Sequence, residues 1–310
     1  MTTLLVFGAD SLVGSWFVEH TAHRVQAAGP VDPRPLLPRV ERFELLDLRQ
    51  PGGARSLIAG SPAEAVINFA AITDVDGAER ERPPEPSLAA GAAFSLNALA
   101  PEEIARACAE TGRPLVHLST DFVFDGRSGP YDEREEPAPF SPQVSWYGWT
   151  KGEGERRLRA AHPRATVLRI AYPYRARFPG REDFARRWVA LRAAGRLPPM
   201  FADQTFTPTW IPDVAAAIEA LLARPEGGTF HAASPEPTTP LEFATRLFSQ
   251  LDGRAVELPG GSMEQFLRRP GATPRPRRGG LKVGQLLARG VRLTAWHEGI
   301  ARFLEEGGAR

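Results

Sequence analysis

The stretch LLVFGADSLVG, residues 4–14, joins a short apolar run to a glycine-containing turn and then to a helical pattern. Leu4–Phe7 is typical of a buried strand, because it is continuously apolar and ends at Gly8. Ser11–Ala22 predicts a helix with an apolar stripe made of Leu12, Val13, Trp16 and Phe17. A strand, a tight turn and a helix in this order are the repeating unit of a parallel α/β sheet.

The same alternation continues along the chain and predicts the fold class. Further strands are expected at Arg24–Ala28, Glu64–Phe69, Pro114–Ser119, Ala165–Ala171 and Gly228–Ala233. Helices are expected at Ala92–Thr111, Trp146–Ala161, Phe184–Ala194, Pro212–Ala223 and Thr294–Glu306, and loops at Pro30–Pro38 and Glu257–Gly280. The pattern indicates an α/β protein, a Rossmann doubly wound parallel sheet with a smaller C-terminal α/β substrate lobe. We expect 1–171, with a return segment at about 206–233, to form the dinucleotide-binding domain, and 172–205 with 234–310 to form the substrate lobe.

Composition narrows the classes of function. The formal net charge is +1 over 310 residues, so no electrostatic argument favours nucleic acid or a membrane surface as partner. The single cysteine, Cys108, cannot form an internal disulfide and lies in an apolar helical pattern, where a buried thiol is expected. The six histidines have no metal-ligand spacing. With no leader-like or membrane-spanning run, we expect a cytoplasmic protein without a metal.

Gly8, Ser11 and Gly14 are spaced three residues apart in the segment that follows the first strand. Gly8 permits a tight turn, Gly14 permits close packing of helix and strand, and the helix N-terminus offers free N–H groups to a pyrophosphate. A third glycine would be usual where Ser11 stands, so a plain strand–helix turn is an equal alternative on this motif alone. Arg24 and Arg34 could meet a 2′-phosphate, which favours NADP(H) slightly over NAD(H).

Tyr147 and Lys151 are four residues apart on a predicted helix, so their side chains share one face. A neighbouring ammonium stabilises a phenolate, and we expect it to lower the pKa of Tyr147 towards working pH. Such a phenol can give a proton to a carbonyl oxygen that accepts a hydride. A surface Tyr–Lys pair is the alternative. Only two lysines, Lys151 and Lys282, occur in the chain.

Ser119, Thr120 and Asp121 end the strand that precedes this helix. Ligands of open α/β sheets bind at the carboxyl ends of the strands, where a hydroxyl can polarise a substrate carbonyl. A helix cap or turn cluster is the other interpretation of these three residue types.

Together these segments resemble the dTDP-4-dehydrorhamnose reductase family of extended short-chain dehydrogenases. The resemblance rests on motifs that keep the family's order along most of the chain, the most specific being STDFVFDG within 115–133. The others are VINFAAITDVDGAE (66–79), SLNALAPEEIARAC (95–108), WYGWTKGEGE (146–155), DQTFTPTWIPDVA (203–215), GTFHAA (228–233) and RRPGATPR (268–275). It implies reduction of a 4-keto group on a nucleotide-diphosphate deoxysugar with NADP(H) or NAD(H).

The resemblance also implies residue roles. Tyr147 is expected to be the catalytic acid, Lys151 its partner and ribose ligand, and Thr120 a further catalytic contact. Thr120, Asp121 and Tyr172 are expected to contact the substrate. Cofactor contacts are expected from Gly8, Ser11, Leu12, Val13, Gly14, Asp47, Leu48, Ala71, Ile72 and Thr73, as well as from Tyr147 and Lys151. A homodimer is compatible with the family.

Two other functions stay open at this point. Some relatives of the family are non-catalytic NADP-binding regulatory subunits, and nucleotide-sugar epimerases or dehydratases reuse the Tyr–Lys pair with tightly held NAD. The arginine-rich loop has two interpretations as well, a clamp for a diphosphate or a solvated basic segment. Its arginines are Arg268, Arg269, Arg275, Arg277 and Arg278.

Overall fold

The computed structural model describes residues 1–309. Within them the strands are β1 Thr3–Phe7, β2 Arg24–Gly29, β3 Val40–Leu45, β4 Ala65–Asn68, β5 Leu115–Thr120, β6 Thr166–Ile170, β7 Pro173–Tyr174, β8 Met200–Phe201, β9 Thr209–Trp210, β10 Gly228–Ala232 and β11 Gly260–Gly261.

The α-helices in the same residues alternate with the strands in the first half and dominate the second half. They are α1 Leu12–His20, α2 Gly53–Gly60, α3 Val75–Glu79, α4 Gly91–Phe94, α5 Ala100–Thr111, α6 Trp146–Ala161, α7 Phe184–Ala193, α8 Ile211–Ala223, α9 Pro240–Asp252, α10 Met263–Leu267, α11 Gly284–Ala288 and α12 Trp296–Glu305. A π-helical segment, Ser95–Leu99, joins α4 to α5, and single 3₁₀ turns lie at Pro86–Leu88 and Asp121–Val123.

Seven strands of the described chain form one parallel sheet in the order β3-β2-β1-β4-β5-β6-β10. The order in which successive strands are added to the sheet changes side at β1. This strand pairs with β2 on one side and with β4 on the other. A ligand crevice forms at such a switch point, beyond the carboxyl ends of the strands. The predicted Rossmann doubly wound α/β fold is confirmed.

Both faces of the sheet are apolar, which explains why its strands are continuous apolar runs. Along β1, Leu4 and Val6 join one core cluster, whereas Leu5 and Phe7 join another on the opposite face. Helices α1 and α8 pack together, and α2, α5 and α6 form a second helical layer. Cys108 belongs to this second core and is fully buried, as the sequence predicted.

A third core cluster lies in the C-terminal half and is rich in aromatic side chains. It brings together residues that are far apart in sequence, including Tyr174, Phe206, Trp210, Phe243, Phe248 and Phe303. The parallel pairs β7–β9 and β8–β11 flank it. Residues 257–280, expected to be mostly loop, also contain β11 and α10, because Ser262 caps α10 and Asp203 binds its first backbone N–H groups.

No helix among residues 1–309 has the length and apolar character needed to cross a membrane. Over the same residues, no group of three or more His, Cys, Asp and Glu side chains is arranged to hold a metal ion.

Candidate active site

The turn after β1 is shaped for close approach of the backbone. Gly8 has a φ of 71°, and a Cβ added to it would lie 2.6 Å from the Ala70 nitrogen. A Cβ on Gly14 would collide with the Gly8 carbonyl oxygen. Both glycines are therefore needed for geometric reasons, because they let the backbone after β1 pack closely against the end of β4 and against the start of α1.

Ser11 fits where a third glycine would be usual. Its backbone is extended, with φ −67° and ψ 165°, so a side chain causes no strain. The Ser11 hydroxyl accepts the Gly14 N–H at 3.0 Å and caps α1. The N–H groups of Leu12 and Val13, in the first turn, have no partner within the helix and can bind an anion. The turn thus fits the pyrophosphate of a dinucleotide.

The residues expected to border the adenine lie beyond β2 and β3. Asp47 and Leu48 follow β3; Leu48 is buried, whereas Asp47 binds Arg49 at 2.7 Å, which lowers the pKa of Asp47 to about 2. Arg34 follows β2 and forms an ion pair with Asp32 at 2.6 Å. Arg24 is the first residue of β2, at the amino edge of a parallel sheet, and pairs with Glu41. The prediction that Arg24 meets a 2′-phosphate is therefore wrong, because the cofactor edge is the opposite one.

The segment Ala71, Ile72 and Thr73 follows β4 at the same carboxyl edge. The Asn97 side chain fixes it: Asn97 Oδ1 accepts the Ile72 N–H at 2.9 Å, and Asn97 Nδ2 donates to the Ile72 carbonyl at 3.0 Å. Asn97 lies in the π-helical segment and is fully buried. The sequence prediction assigned it no role. A lone side-chain amide within an apolar helical run was the available signal.

Tyr147 lies in the first turn of α6, which Ser145 caps and whose first N–H binds Glu79 at 2.7 Å. Its ring packs edge-on against Phe122. Burial raises the pKa of Tyr147 to about 12; the Thr120 hydroxyl acts against this rise and Asp121 adds to it. The expected lowering by Lys151 is wrong, since burial dominates and Lys151 is not among the groups that shift this pKa.

The Lys151 ammonium is directed at the sheet. Its Nζ atom donates to the Leu118 carbonyl at 2.7 Å and lies 3.3 Å from His117 Nε2. Burial lowers the pKa of Lys151 to about 8, and the negative charge of Glu155 acts in the opposite direction. Strand β5 therefore fixes the lysine that the sequence had assigned to Tyr147 and to the cofactor ribose.

A buried ion pair fastens α6 to the sheet one turn after Lys151. Glu155 and Arg169, both fully buried, are joined at 2.7 Å, and Ser119 donates to Glu155 at 2.6 Å. Burial acts to raise the pKa of Glu155, but the charges of Arg169 and Arg159 outweigh it and lower the pKa to about 2. Ser119 thus serves the packing of this helix.

Thr120 and Asp121 lie at the carboxyl end of β5, beside Tyr147. The Thr120 hydroxyl accepts the Phe122 N–H at 3.3 Å and is 3.5 Å from Asp121 Oδ1. Burial raises the pKa of Asp121 to about 7, although the Gly280 N–H, 3.4 Å from Oδ2, acts against it. The expected cap-like contact and a place beside the phenol are therefore both present.

Tyr172 follows β6 with a φ of 45°, uncommon for a residue with a side chain. Its hydroxyl accepts from Gln204 Nε2 at 3.0 Å, and the same amide nitrogen donates to the Pro276 carbonyl at 3.0 Å. Its ring packs near Phe122 and Phe206. Tyr172 thus joins the sugar side of the expected site to the arginine-rich segment.

The arginine-rich segment borders an open pocket of about 450 Å³. Arg275 crosses to Asp76 on α3 at 2.8 Å, Arg277 pairs with Glu264 at 2.9 Å, and Arg268 pairs with Glu264 at 2.5 Å. The guanidinium of Arg269 stacks near the Phe266 ring. The pocket is lined by Asp125, Gly126, Arg127, Pro142, Gln143, Leu267, Ala272, Pro274, Arg275, Arg277 and Arg278. Three of the five arginines thus face one cavity, and two lie outside it.

A family model described as the RmlD substrate binding domain matches residues 1–308. The chain belongs to this family. A dTDP-4-dehydrorhamnose reductase of Mycobacterium tuberculosis is 33% identical over 265 residues, covering 83% of this chain and 81% of its own length. A probable dTDP-4,6-dihydroxy-2-methyloxan-3-one 4-ketoreductase of Streptomyces antibioticus is 37% identical over 284 residues, 88% of this chain and 84% of that protein.

Among solved structures, a dTDP-4-dehydrorhamnose reductase of Bacillus anthracis in complex with NADP is similar over nearly the whole chain. The TM-score is 0.79 and the identity 25%, with 98% of this chain and 99% of the other covered. Family membership accounts for the order of the motifs from 66–79 to 268–275.

The structure places most of the expected site residues of this family member in four groups. Gly8–Gly14 forms the turn, Asp47 and Leu48 lie beyond β3, and Ala71–Thr73 lies beyond β4. Tyr147, Thr120 and Asp121 adjoin one another. Lys151 lies behind them against β5. Asn97 and His117 are the residues that sequence reasoning missed.

Proposed function

We propose that this chain reduces a 4-keto group on a nucleotide-diphosphate deoxysugar with NADPH or NADH as the second substrate. The observation that carries the proposal is the buried position of Tyr147 in the first turn of α6, with its ring packed edge-on against Phe122, two residues after Thr120 ends β5, within a chain matched by the family model over residues 1–308. The relatives with reductase names supply the substrate class. The reduced nicotinamide, when bound, supplies the hydride.

The turn residues Gly8–Gly14 would hold the pyrophosphate, and Asp47 with Leu48 would border the adenine. Ala71, Ile72 and Thr73 would line the nicotinamide ribose, with the backbone at Ile72 kept in place by Asn97. Lys151 would bind a ribose hydroxyl.

In this proposal Tyr147 is the acid. Its raised pKa keeps the phenol protonated at neutral pH. A developing alkoxide on the sugar is a much stronger base than a phenolate, so such a phenol can still give up its proton. Thr120 would donate a hydrogen bond to the same oxygen and polarise the carbonyl. Asp121 and Tyr172 would contact the sugar.

The domain assignment is part of the proposal. Residues 1–171 with about 206–233 would bind the cofactor, and 172–205 with 234–310 would bind the nucleotide sugar. A cytoplasmic homodimer, as expected from the sequence, is also proposed, and size-exclusion chromatography with light scattering tests the dimer.

The activity test mixes the protein with NADPH and a dTDP-4-keto-6-deoxyhexose, follows the nicotinamide absorbance, and identifies the sugar product. Oxidation of one NADPH per new C4 hydroxyl supports the proposal. An isomerised or dehydrated sugar without net cofactor oxidation identifies an epimerase or dehydratase instead. Cofactor binding without turnover, together with a co-purifying enzyme, identifies a regulatory subunit.

A further inference from the structure

His117 lies between two side chains that are themselves buried. It faces Asn68 across the β4–β5 ladder, where the two residues are register partners. Asn68 Nδ2 is 3.1 Å from His117 Nδ1, and His117 Nε2 is 3.3 Å from Lys151 Nζ. The three side chains are 1%, 0% and 2% exposed, so water does not replace any of these contacts.

The Asn68 amide has a defined orientation. Its Oδ1 accepts the Ala70 N–H at 3.0 Å, which leaves Nδ2, a donor, to face the imidazole. Complete burial holds the pKa of His117 well below its usual value, so the ring is neutral. A neutral imidazole has one acceptor nitrogen and one N–H. With Nδ1 accepting from Asn68, the proton resides on Nε2 and points at Lys151.

An N–H group directed at Nζ distinguishes between the two forms of lysine. A neutral amine has a lone pair that accepts this hydrogen, whereas an ammonium has three donors and no acceptor. The ammonium form would need Nε2 unprotonated. Nδ1 would then carry the proton, and its N–H would face the Asn68 Nδ2 group, which is also a donor. The Asn68 oxygen cannot replace that group, because it already accepts the Ala70 N–H.

The other charged groups around this contact either favour the ammonium form of Lys151 or lie farther from it. Glu155, one turn further along α6, favours the ammonium of Lys151. Arg169 on β6 and Arg159 on α6 compensate much of the charge of Glu155. The Leu118 carbonyl accepts from Nζ in either form. The Asn68–His117 pair is thus the one contact of Lys151 described here that favours the amine.

We propose that Asn68 and His117 are positioning residues that set the protonation of Lys151 by directing an imidazole N–H at its Nζ atom. The role of Lys151 in the reaction rests on the proposed function, but its protonation can be measured without substrate.

The test is an NMR titration of protein labelled with ¹³Cε-lysine. The chain has only two lysines, so the spectrum has one signal from Lys151 and one from Lys282, which serves as internal reference. We expect Lys151 to titrate at least about one pH unit below the ordinary lysine pKa of about 10.4. A wild-type midpoint higher than that limit would overturn the proposal.

Two variants present a hydrogen-bond acceptor to Lys151 Nζ in place of the imidazole N–H. Asn68→Asp presents carboxylate oxygens to both the Ala70 N–H and Nδ1, so the proton moves to Nδ1 and Nε2 becomes an acceptor. His117→Gln can present its amide oxygen to the ammonium. Each is expected to raise the Lys151 midpoint by about one unit or more, a tenfold rise in proton affinity. His297→Gln, on the surface near Glu236, is the control and leaves the midpoint in place.

An unchanged midpoint in a variant that circular dichroism shows to be folded would overturn the proposal. If either variant fails to fold, the wild-type midpoint and the other variant still decide the question. Kinetics then separate the two proposals. If the chain is a reductase, the pH profile of kcat/KM shifts with the midpoint; if no reduction occurs while the titration behaves as described, only the proposed function fails.

Discussion

The Nζ atom of Lys151 lies 2.7 Å from the carbonyl oxygen of Leu118, so strand β5 holds the lysine that stands one helical turn from Tyr147. Helix α6 and strand β5 are further joined by Ser119 and Glu155. The position of the reactive helix therefore depends on buried polar contacts with the sheet, and each can be tested by substitution.

The Glu155–Arg169 pair is expected to stabilise the fold in a pH-dependent way. Glu155→Gln leaves the buried guanidinium without its counter-charge, which typically costs about 3–5 kcal/mol. The folded-state pKa of Glu155 is about 2, below the ordinary value of 4.5 for a glutamate. The stabilisation is therefore present above pH 4.5 and is lost as pH falls towards 2. Urea unfolding at pH 7 and pH 3 measures it.

The matched control is Glu44→Gln, which breaks the exposed pair with Arg42 and should cost at most about 1 kcal/mol. An equal difference between wild type and Glu155→Gln at both pH values would contradict the pairing described here.

Two glycines of α6 are required by packing. A Cβ on Gly148 would collide with the Phe122 carbonyl oxygen, and one on Gly154 with the Asn97 carbonyl oxygen. Alanine favours a helix by up to about 1 kcal/mol over glycine, but overpacking costs about 1–3 kcal/mol. We expect both alanine variants to be destabilised in thermal unfolding. Gly60→Ala, at the end of α2 with open space around it, should be neutral or stabilising. Stabilisation by Gly154→Ala would refute this packing.

Asp121 is expected to weaken the fold as it ionises. Its folded-state pKa, about 7, exceeds the ordinary value of 3.8 for an aspartate, so the stability present below pH 3.8 is lost as pH rises through 7. Asp121→Asn does not titrate. The stability of the variant relative to wild type should therefore rise between pH 5 and pH 8.5, by at most about 3 kcal/mol, because the interval from pH 5 to the folded-state pKa spans about two pH units. Chemical unfolding at both pH values measures the gain.

Glu85→Gln, at an exposed position, serves as the control and should show no such change. If Asp121→Asn is no better relative to wild type at pH 8.5 than at pH 5, the carboxyl is not desolvated as described.

Much of the fold could be predicted from periodicity, because the five inner strands of the sheet, β2, β1, β4, β5 and β6, are mostly apolar and mostly buried. Strand β3 was missed since it is an edge strand with charged Glu41, Arg42 and Glu44, and only Val40 is fully buried. Helix α9 carries a capping box of Thr239 and Glu242, and Gly253 at its end, which were usable signals.

The site was predictable as far as spacing and strand ends reveal it. The separation of Tyr147 and Lys151 indicates a shared face, but not which group each side chain touches. The predicted lowering of the Tyr147 pKa was wrong for that reason, since the burial that raises this pKa depends on how the whole chain folds. His117 and Asn97 resemble core residues in sequence, and only the distances to Lys151 and Ile72 distinguish them.

The most direct test of the account is the rate of NADPH oxidation by Tyr147→Phe with the 4-keto nucleotide sugar, beside cofactor affinity from tryptophan fluorescence. Tyr174→Phe is the control, because its hydroxyl has no hydrogen-bond partner among the described residues. We predict a loss of roughly 10²–10⁴-fold in kcat for Tyr147→Phe with the NADPH Kd little changed. A folded Tyr147→Phe protein that reduces the sugar at the wild-type rate would contradict the account.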